Sequence, residues 1–454
     1  MPEVNSPTRK VSFNEKLFWT AIAMIIYLVM SQTVLFGVAT EGSQLESWRM
    51  IFASNRGTLT ELGIGPIVTG GLILQLLIGS SIIQADLNNP DDRSLFTAAN
   101  KVFSILLTGI QALAYILGGM YSVLDPITAV IVFVQLLCAG VVLMLLDEMI
   151  QKGWGIGSGI SLFILAGVAQ RIMWDSFGIY TMGDGKSYGA FLALGETLMG
   201  GDSIFYAFFR FSEGQLASWP TMLGFVTTVV VFVLVIYLEG VRIELPISHA
   251  NYRGFRGKYP IKLLYVSNLP VIFASALFAD VVVLAQLLRS HFGSGNVFVN
   301  FLGTFDGQTV TGGLAYYVTS PNGLGDVIAD PARALIFVGI MVGFAIVFSL
   351  TWLEVGGLGA RTVAKQLVDS GMQVPGFRRS GKSIEVVLGR YIPVVTVLGG
   401  AIIGLVASVS GFFGVFGSGM GVLLAVGILY QYYQQLVQEQ VAEMYPAFGK
   451  MLGG

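Results

Sequence analysis

Ten apolar runs, each about one bilayer crossing long, leave this chain little choice of fold. They cover residues 17–38, 62–83, 102–122, 126–146, 157–176, 219–240, 262–290, 331–353, 386–409 and 416–436. A helix needs roughly 20 apolar residues to cross the hydrocarbon layer. Within that layer every backbone N–H and C=O must be bonded inside the protein, which selects helices over open strands. Hydrophobic residues make up 54% of the chain and charged residues 11%, where a soluble chain carries about 25% charge. The expected fold class is an all-α polytopic membrane protein. An even number of crossings puts both termini on one side. Sorted by side, Lys and Arg fall 18 against 7 in favour of the side holding the N-terminus, which makes both termini cytoplasmic. Residues 1–15 are polar and the first run is long enough to remain a span, so no cleavable signal is expected.

Net charge is −2, so attraction to a polyanion would have to come from local clusters. Two cytoplasmic connections hold such clusters. One carries Arg253, Arg256, Lys258 and Lys262 without an intervening acid; the other carries Arg361, Lys365, Arg378, Arg379, Lys382 and Arg390 against Asp369 and Glu385. On the far side, 177–216 reads as a loop with a short amphipathic helix, and 291–330 alternates as a strand pair would. The lone Cys138 excludes an internal disulfide and a cysteine-based metal site. No cofactor and no metal are expected.

The stretch Gly57–Ile83, GTLTELGIGPIVTGGLILQLLIGSSII, turns through Gly63-Ile64-Gly65-Pro66 before running apolar. Pro66 falls in the first helical turn, where a missing N–H costs little. Just before it, residues 42–55 form a half-length apolar segment containing Leu45, Trp48, Ile51 and Phe52 but also Glu46 and Arg49. That segment is too short and too charged to span. A second glycine-rich break, Gly417 to Gly421, precedes the tenth run. Broken helices in both halves, with five crossings in each, fit an inverted repeat divided near residue 215. The halves are 1–215 and 216–454.

Within the runs, Ile64 and Val68 share a helix face, as do Ile160 and Ile164. Ile272 follows Pro270 and Leu424 follows Gly421. By spacing alone these are ordinary packing or lipid-facing residues, because such pairs fill any spanning helix. The polar residues Thr69, Gln75, Gln111 and Asn268 read by default as interhelical hydrogen-bonding groups.

Five stretches in order resemble the SecY protein-conducting channel family in its archaeal and eukaryotic form. They are GTLTELGIGPIVTGGLILQLL (57–77), DEMIQKGWGIGSGISLFI (147–164), RGKYPIKLLYVSNLPVI (256–272), VPGFRRSGKSIE (374–385) and GMGVLLAVGILYQYY (419–433). The resemblance implies ten spans in two inverted five-helix halves around a central pore. It places Ile64, Val68, Ile160, Ile164, Ile272 and Leu424 in an aliphatic ring at the pore's waist. Such a ring excludes ions by dewetting, and it widens around any chain because dispersion contacts have no directional demands. The resemblance also makes Leu45, Trp48, Ile51 and Phe52 part of a half-helix plug, and Thr69, Gln75, Gln111 and Asn268 the polar cluster of a lateral gate. Hydrogen bonds of that kind average below about 1 kcal/mol, weak enough to set a threshold for signal peptides. Arg253, Arg256, Lys258, Arg378, Arg379 and Lys382 become contacts for a ribosome. The remaining implied partners are SecE/gamma-type and SecG/beta-type small membrane subunits, nascent polypeptides and the lipid bilayer. The implied setting is the archaeal plasma membrane, with the endoplasmic reticulum membrane as alternative.

Asp280, an acid well inside a run, makes a proton-coupled secondary transporter the rival reading. The poverty of other intramembrane charge opposes it; Asp280 lies about 12 Å beyond Ile272 at helical pitch, where a watery vestibule would solvate it. Residues 376–383 formally match a phosphate-binding loop, yet a connection of roughly thirty residues has no room for the required sheet. Ser158 lacks a histidine base within the membrane, because His249 and His291 lie near run ends. No enzymatic activity is expected.

Overall fold

The computed structural model describes residues 3–38, 57–79, 82–83, 90–118, 121, 124–212, 215–249, 256–266, 269–293, 296–306, 309–321, 323–369, 372–373 and 381–444. Each of the ten apolar runs carries one long helix. The N-terminal five are α1 (Phe13–Gln32), α2 (Gly65–Gly79), α3 (Pro90–Leu117), α4 (Pro126–Met149) and α5 (Gly159–Phe177). A π-helical turn, Ile150–Trp154, extends α4. On the far side follow two short helices, α6 (Ala190–Met199) and α7 (Phe205–Phe208), and a hairpin of β1 (Phe211–Ser212) and β2 (Gln215–Leu216). The sixth run forms α8 (Met222–Gly240). It leads into β3 (Arg242–His249), β4 (Arg256–Lys262) and the seventh long helix, α9 (Leu269–Phe292). Then come α10 (Val297–Leu302), β5 (Thr304–Asp306), β6 (Thr309–Gly312), α11 (Leu314–Val318) and α12 (Gly323–Ala329). The last three long helices are α13 (Pro331–Val355), α15 (Gly381–Phe412) and α16 (Gly419–Met444), with α14 (Ala360–Asp369) and β7 (Met372–Gln373) between the first two of them.

Local chemistry sets the starts of these helices. Ser12 caps α1 by accepting from the Glu15 N–H, and Thr221 caps α8 by accepting from the Gly224 N–H. Pro126 and Pro331 occupy first-turn positions, and Asp330 accepts from the Arg333 N–H. Eight of the long helices are apolar and long enough to cross a bilayer. The other two are those behind the glycine-rich breaks. α2 has only 15 residues, and α16 turns polar after Tyr430, through Gln431, Gln434, Gln435, Gln438 and Glu439.

Two expectations need correction. The seventh run does not begin its helix at 262: Lys262 ends β4, and the helix starts at Leu269. The alternating segment 291–330 is a strand pair only over β5 and β6. Residues Val297–Leu302 are helical because Asn296 caps them, accepting from the Phe298 N–H at 3.0 Å. The alternation there reflects one helical turn exposing Val297, Phe298 and Phe301 while burying Val299.

Lys16 in α1 pairs with Glu439 in α16 at 2.6 Å, so both ends of the described chain lie at one end of the bundle. At that end the two basic connections form a single unit. β3 pairs antiparallel with β4, from Arg242 opposite Lys262 to Ser248 opposite Arg256, and on its other edge with β7 from the second connection. α14 lays Val363, Ala364 and Leu367 onto Leu245, Ile261, Ile384 and Leu388 in a small separate core. Its opposite face exposes Arg361 and Lys365. At the other end of the bundle the buried Arg210 guanidinium grips Asp184 with two bonds, 2.8 and 2.9 Å, while Trp219 lies against its face.

Candidate functional site

The main core of the bundle gathers the six aliphatic residues singled out above. Ile64, Val68, Ile164 and Leu424 are buried members of one continuous cluster, and Ile160 and Ile272 are half-buried and pack against it. They come from α2, α5, α9 and α16 and from the turn leading into α2. Ile64 and Leu424 are both 0% exposed.

Each broken lead-in is held by a carboxylate. Before α2, the buried Glu61 accepts from the Gly57 N–H, and the Thr58 and Thr60 hydroxyls bond each other at 3.1 Å. The Leu35 N–H donates to the Gly57 carbonyl at 2.7 Å and the Leu59 N–H to the Thr33 carbonyl at 2.9 Å. These bonds close the neck of the excursion 39–56, which therefore leaves and returns at one place. Before α5, Asp147 accepts from the Ile160 N–H (3.0 Å), the Ser158 hydroxyl (3.4 Å) and the Gln151 amide (2.7 Å). A Cβ on Gly159 would come within 2.6 Å of the Asp147 Cα, so the close approach demands glycine there. Before α16, Asp175 accepts from the Gly417 N–H at 3.0 Å. Glu61, Asp147 and Asp175 are not among the residues the sequence singles out. The available signal is an acid close to, or a helix away from, a glycine-rich break whose N–H groups need acceptors.

Of the four polar positions expected at the lateral gate, the structure joins two. The Thr69 hydroxyl donates to one oxygen of Asp280 at 3.4 Å and the Gln111 amide to the other at 3.3 Å, linking α2, α3 and α9. Asp280 is thus half-buried in the seam and bonded there, a correction to the expectation of a solvated vestibule group. Gln75 lies apart from them. It lines a small, partly open apolar pocket with Leu72, Leu76, Phe273, Phe348, Thr351 and Trp352, and its buried Oε1 has no hydrogen-bond partner among the described residues. Asn268 lies outside the described residues, as do Leu45, Trp48, Ile51, Phe52, Arg253, Arg378 and Arg379. Arg256 and Lys382 are described as backbone only, at β4 and the start of α15. Lys258 is exposed and paired with Glu244 across the hairpin, and its hydrogen bond, with its charge, holds the Glu244 carboxyl below the usual range.

On the same side as the basic unit, an ion ladder runs Lys101–Glu148 (2.5 Å), Glu148–Lys152 (2.8 Å) and Lys152–Glu3 (2.7 Å). It ties α3, which carries Gln111, to the end of α4 and to the N-terminal tail. Among the described residues no three His, Cys, Asp or Glu side chains are grouped so as to hold a metal ion.

A bundle of helices long and apolar enough to cross a membrane, with a continuous aliphatic core and a polar seam joining α2, α3 and α9, defines a multi-pass membrane protein. The SecY family profile matches residues 58–433, and that of the plug domain of Sec61p matches residues 25–57. The chain belongs to the SecY family. A structure described as that of a protein conducting channel is 39% identical, with a TM-score of 0.83 over 98% of this chain and 97% of its own. Sec61 from a canine ribosome–channel complex of the endoplasmic reticulum is 38% identical over 98% and 97%, with a TM-score of 0.80. The idle yeast Ssh1 complex bound to the yeast 80S ribosome is 26% identical over 97% and 93%, at 0.79.

Proposed function

We propose that this chain is the central subunit of a protein-conducting channel, passing unfolded polypeptides through the aliphatic ring and releasing apolar segments sideways through the α2–α9 seam. The observation that carries the reading is the convergence of Ile64, Val68, Ile160, Ile164, Ile272 and Leu424 on one buried cluster from four helices. A constriction of that composition is dry when closed and yields to any sequence when pushed. Thr69, Gln111 and Asp280 form the working part of the gate's polar cluster; Gln75 faces the apolar pocket beside it. Residues 42–55 are the plug.

The halves 1–215 and 216–454 are the inverted repeats, and a SecE/gamma-type subunit clamps them while a SecG/beta-type subunit completes the complex. Both termini are cytoplasmic, in an archaeal plasma membrane or alternatively the endoplasmic reticulum. The sheet β3–β4–β7 with α14 then faces the cytoplasm and offers cations to ribosomal RNA, as the ribosome-bound canine and yeast relatives suggest. The chain works as a conduit without chemistry of its own. The test places single cysteines at Ile64 and Ile272, with Cys138 removed, and a third in a stalled secretory chain. Crosslinks at both positions, and none at lipid-facing controls, are expected; absence at both refutes the ring.

A further inference from the structure

α5 and α16 grip each other reciprocally. The glycine-rich turn before each helix packs on the far part of the other. At one end, Gly157 has φ +78°, and a Cβ there would lie 2.8 Å from the Tyr432 ring and from the Gln435 amide oxygen. The Tyr432 hydroxyl donates to the carbonyl of Ser158 in that turn at 2.8 Å. At the other end, Gly417 has φ +69°, and its Cβ would lie 3.1 Å from Ile172 and 3.3 Å from Val168. There the buried Asp175 accepts the Gly417 N–H at 3.0 Å, and Asp175 is itself held by the Tyr188 hydroxyl at 3.2 Å and the Arg171 guanidinium at 3.0 Å. The two polar contacts sit at opposite ends of the pair, with Ile160, Ile164 and Leu424 between them.

We propose that Asp175 and Tyr432 are positioning residues that fix the register of α5 against α16 and so hold Leu424 level with Ile160 and Ile164. Neither touches the passing chain. Each acts through a turn that can approach the other helix only because glycine leaves room. A one-turn slip of α16 would carry Leu424 about 5 Å along its axis, enough to withdraw it from the ring.

The inference rests on the ring described above but is tested at rest, with no polypeptide in transit. Failure of transit crosslinks would sink the ring; failure here would sink only the clamp. The complex with its small subunits is reconstituted into liposomes, with Cys138 replaced by Ala. Two readouts are taken: crosslinking between cysteines at 164 and 424, and ion leak with the natural ring. Asp175→Ala is expected to cut the crosslink yield and raise the leak several-fold. Asp175→Asn keeps an oxygen for the Gly417 N–H and should stay close to the parent in both. Tyr432→Phe should shift both in the same direction as Asp175→Ala, by less. Unchanged yield and leak in Tyr432→Phe would overturn the clamp, even if Asp175→Ala failed to fold. So would an Asp175→Asn variant as leaky as Asp175→Ala, because the charge toward Arg171 and not the bond to Gly417 would then be what matters.

Discussion

Thr69 and Asp280 stand 211 residues apart in sequence and 3.4 Å apart across the seam between α2 and α9, with Gln111 of α3 holding the second carboxylate oxygen. The bonds are long, the group is half-buried, and the surroundings are apolar. Asp280→Asn keeps one acceptor oxygen and sets an NH2 in place of the other, which the Thr69 hydroxyl or a flipped Gln111 amide can accept, so export of reporters is expected to stay near the parent level. Asp280→Leu removes the polar group from the seam and lets the helices pack dry. Reporters with weakly apolar signals should then be exported several-fold less, and those with strongly apolar signals unchanged. Export assays with signals of graded leucine content read this directly; loss of all export in Asp280→Asn would favour a proton-coupled role.

At the ring, Ile64 and Leu424 are fully enclosed. Ile64→Ser with Leu424→Ser places hydroxyls in the constriction and lets water wet it. The expected outcome is a resting conductance in planar bilayers well above that of the parent, with single-channel openings before any polypeptide is added. The same double change on the lipid face, at Val134 and Leu398, both exposed, should leave conductance as it was.

Arg210 and Asp184 anchor the loop domain opposite the basic unit. Burial pushes the Asp184 carboxyl up, but the Arg210 hydrogen bonds and charge outweigh it and hold the group below the usual carboxylate range. A depressed carboxyl contributes stability above its unfolded value, near pH 4, and loses it as pH falls through the lower folded value. Thermal unfolding of the complex should therefore be insensitive to this pair from pH 8 to 5 and weaken below pH 4. Arg210→Lys cannot reproduce the two-pronged contact. It should cost about 1.5–3 kcal/mol, the scale of a lost hydrogen bond to a charged group, and lower the melting temperature.

The exposed face of α14 sets Arg361 and Lys365 one helical turn apart. Replacing both with Glu should weaken ribosome binding. If the pair touches phosphates, the slope of log affinity against log salt should fall by roughly 0.7–0.9 for each phosphate that is no longer neutralised. Binding measured over a salt series checks this. An unchanged slope would move the docking surface elsewhere on the β3–β4–β7 unit.

Much of this architecture is legible in the sequence because membrane solvent imposes a length rule that any apolar run must obey. All ten runs carry helices, and the basic clusters mark the connections that fold together. The misses share one cause. Residues 297–301 alternate like a strand but are capped by Asn296, and a one-turn helix has too few residues for its period to be told from two. Counting along its own helix puts Asp280 in water, whereas its partners lie on α2 and α3, which no local pattern brings near. Asp147 and Asp175 read as ordinary acids at span ends; only the fold sets them against N–H groups of distant turns. The aliphatic residues proposed for the ring carry no local signature, and family likeness alone singles them out.

The neck joining Leu35 to Gly57 separates a fixed frame in the N-terminal region from the stretch it encloses. The Leu35–Gly57, Leu59–Thr33 and Gly57–Glu61 bonds tie the turn that carries Ile64 directly to the end of α1. Closing a longer loop costs only about 0.6 kcal/mol per doubling. A change in the number of residues between 38 and 57 therefore alters the cost of closing that neck only slightly, and Ile64 stays tethered to α1.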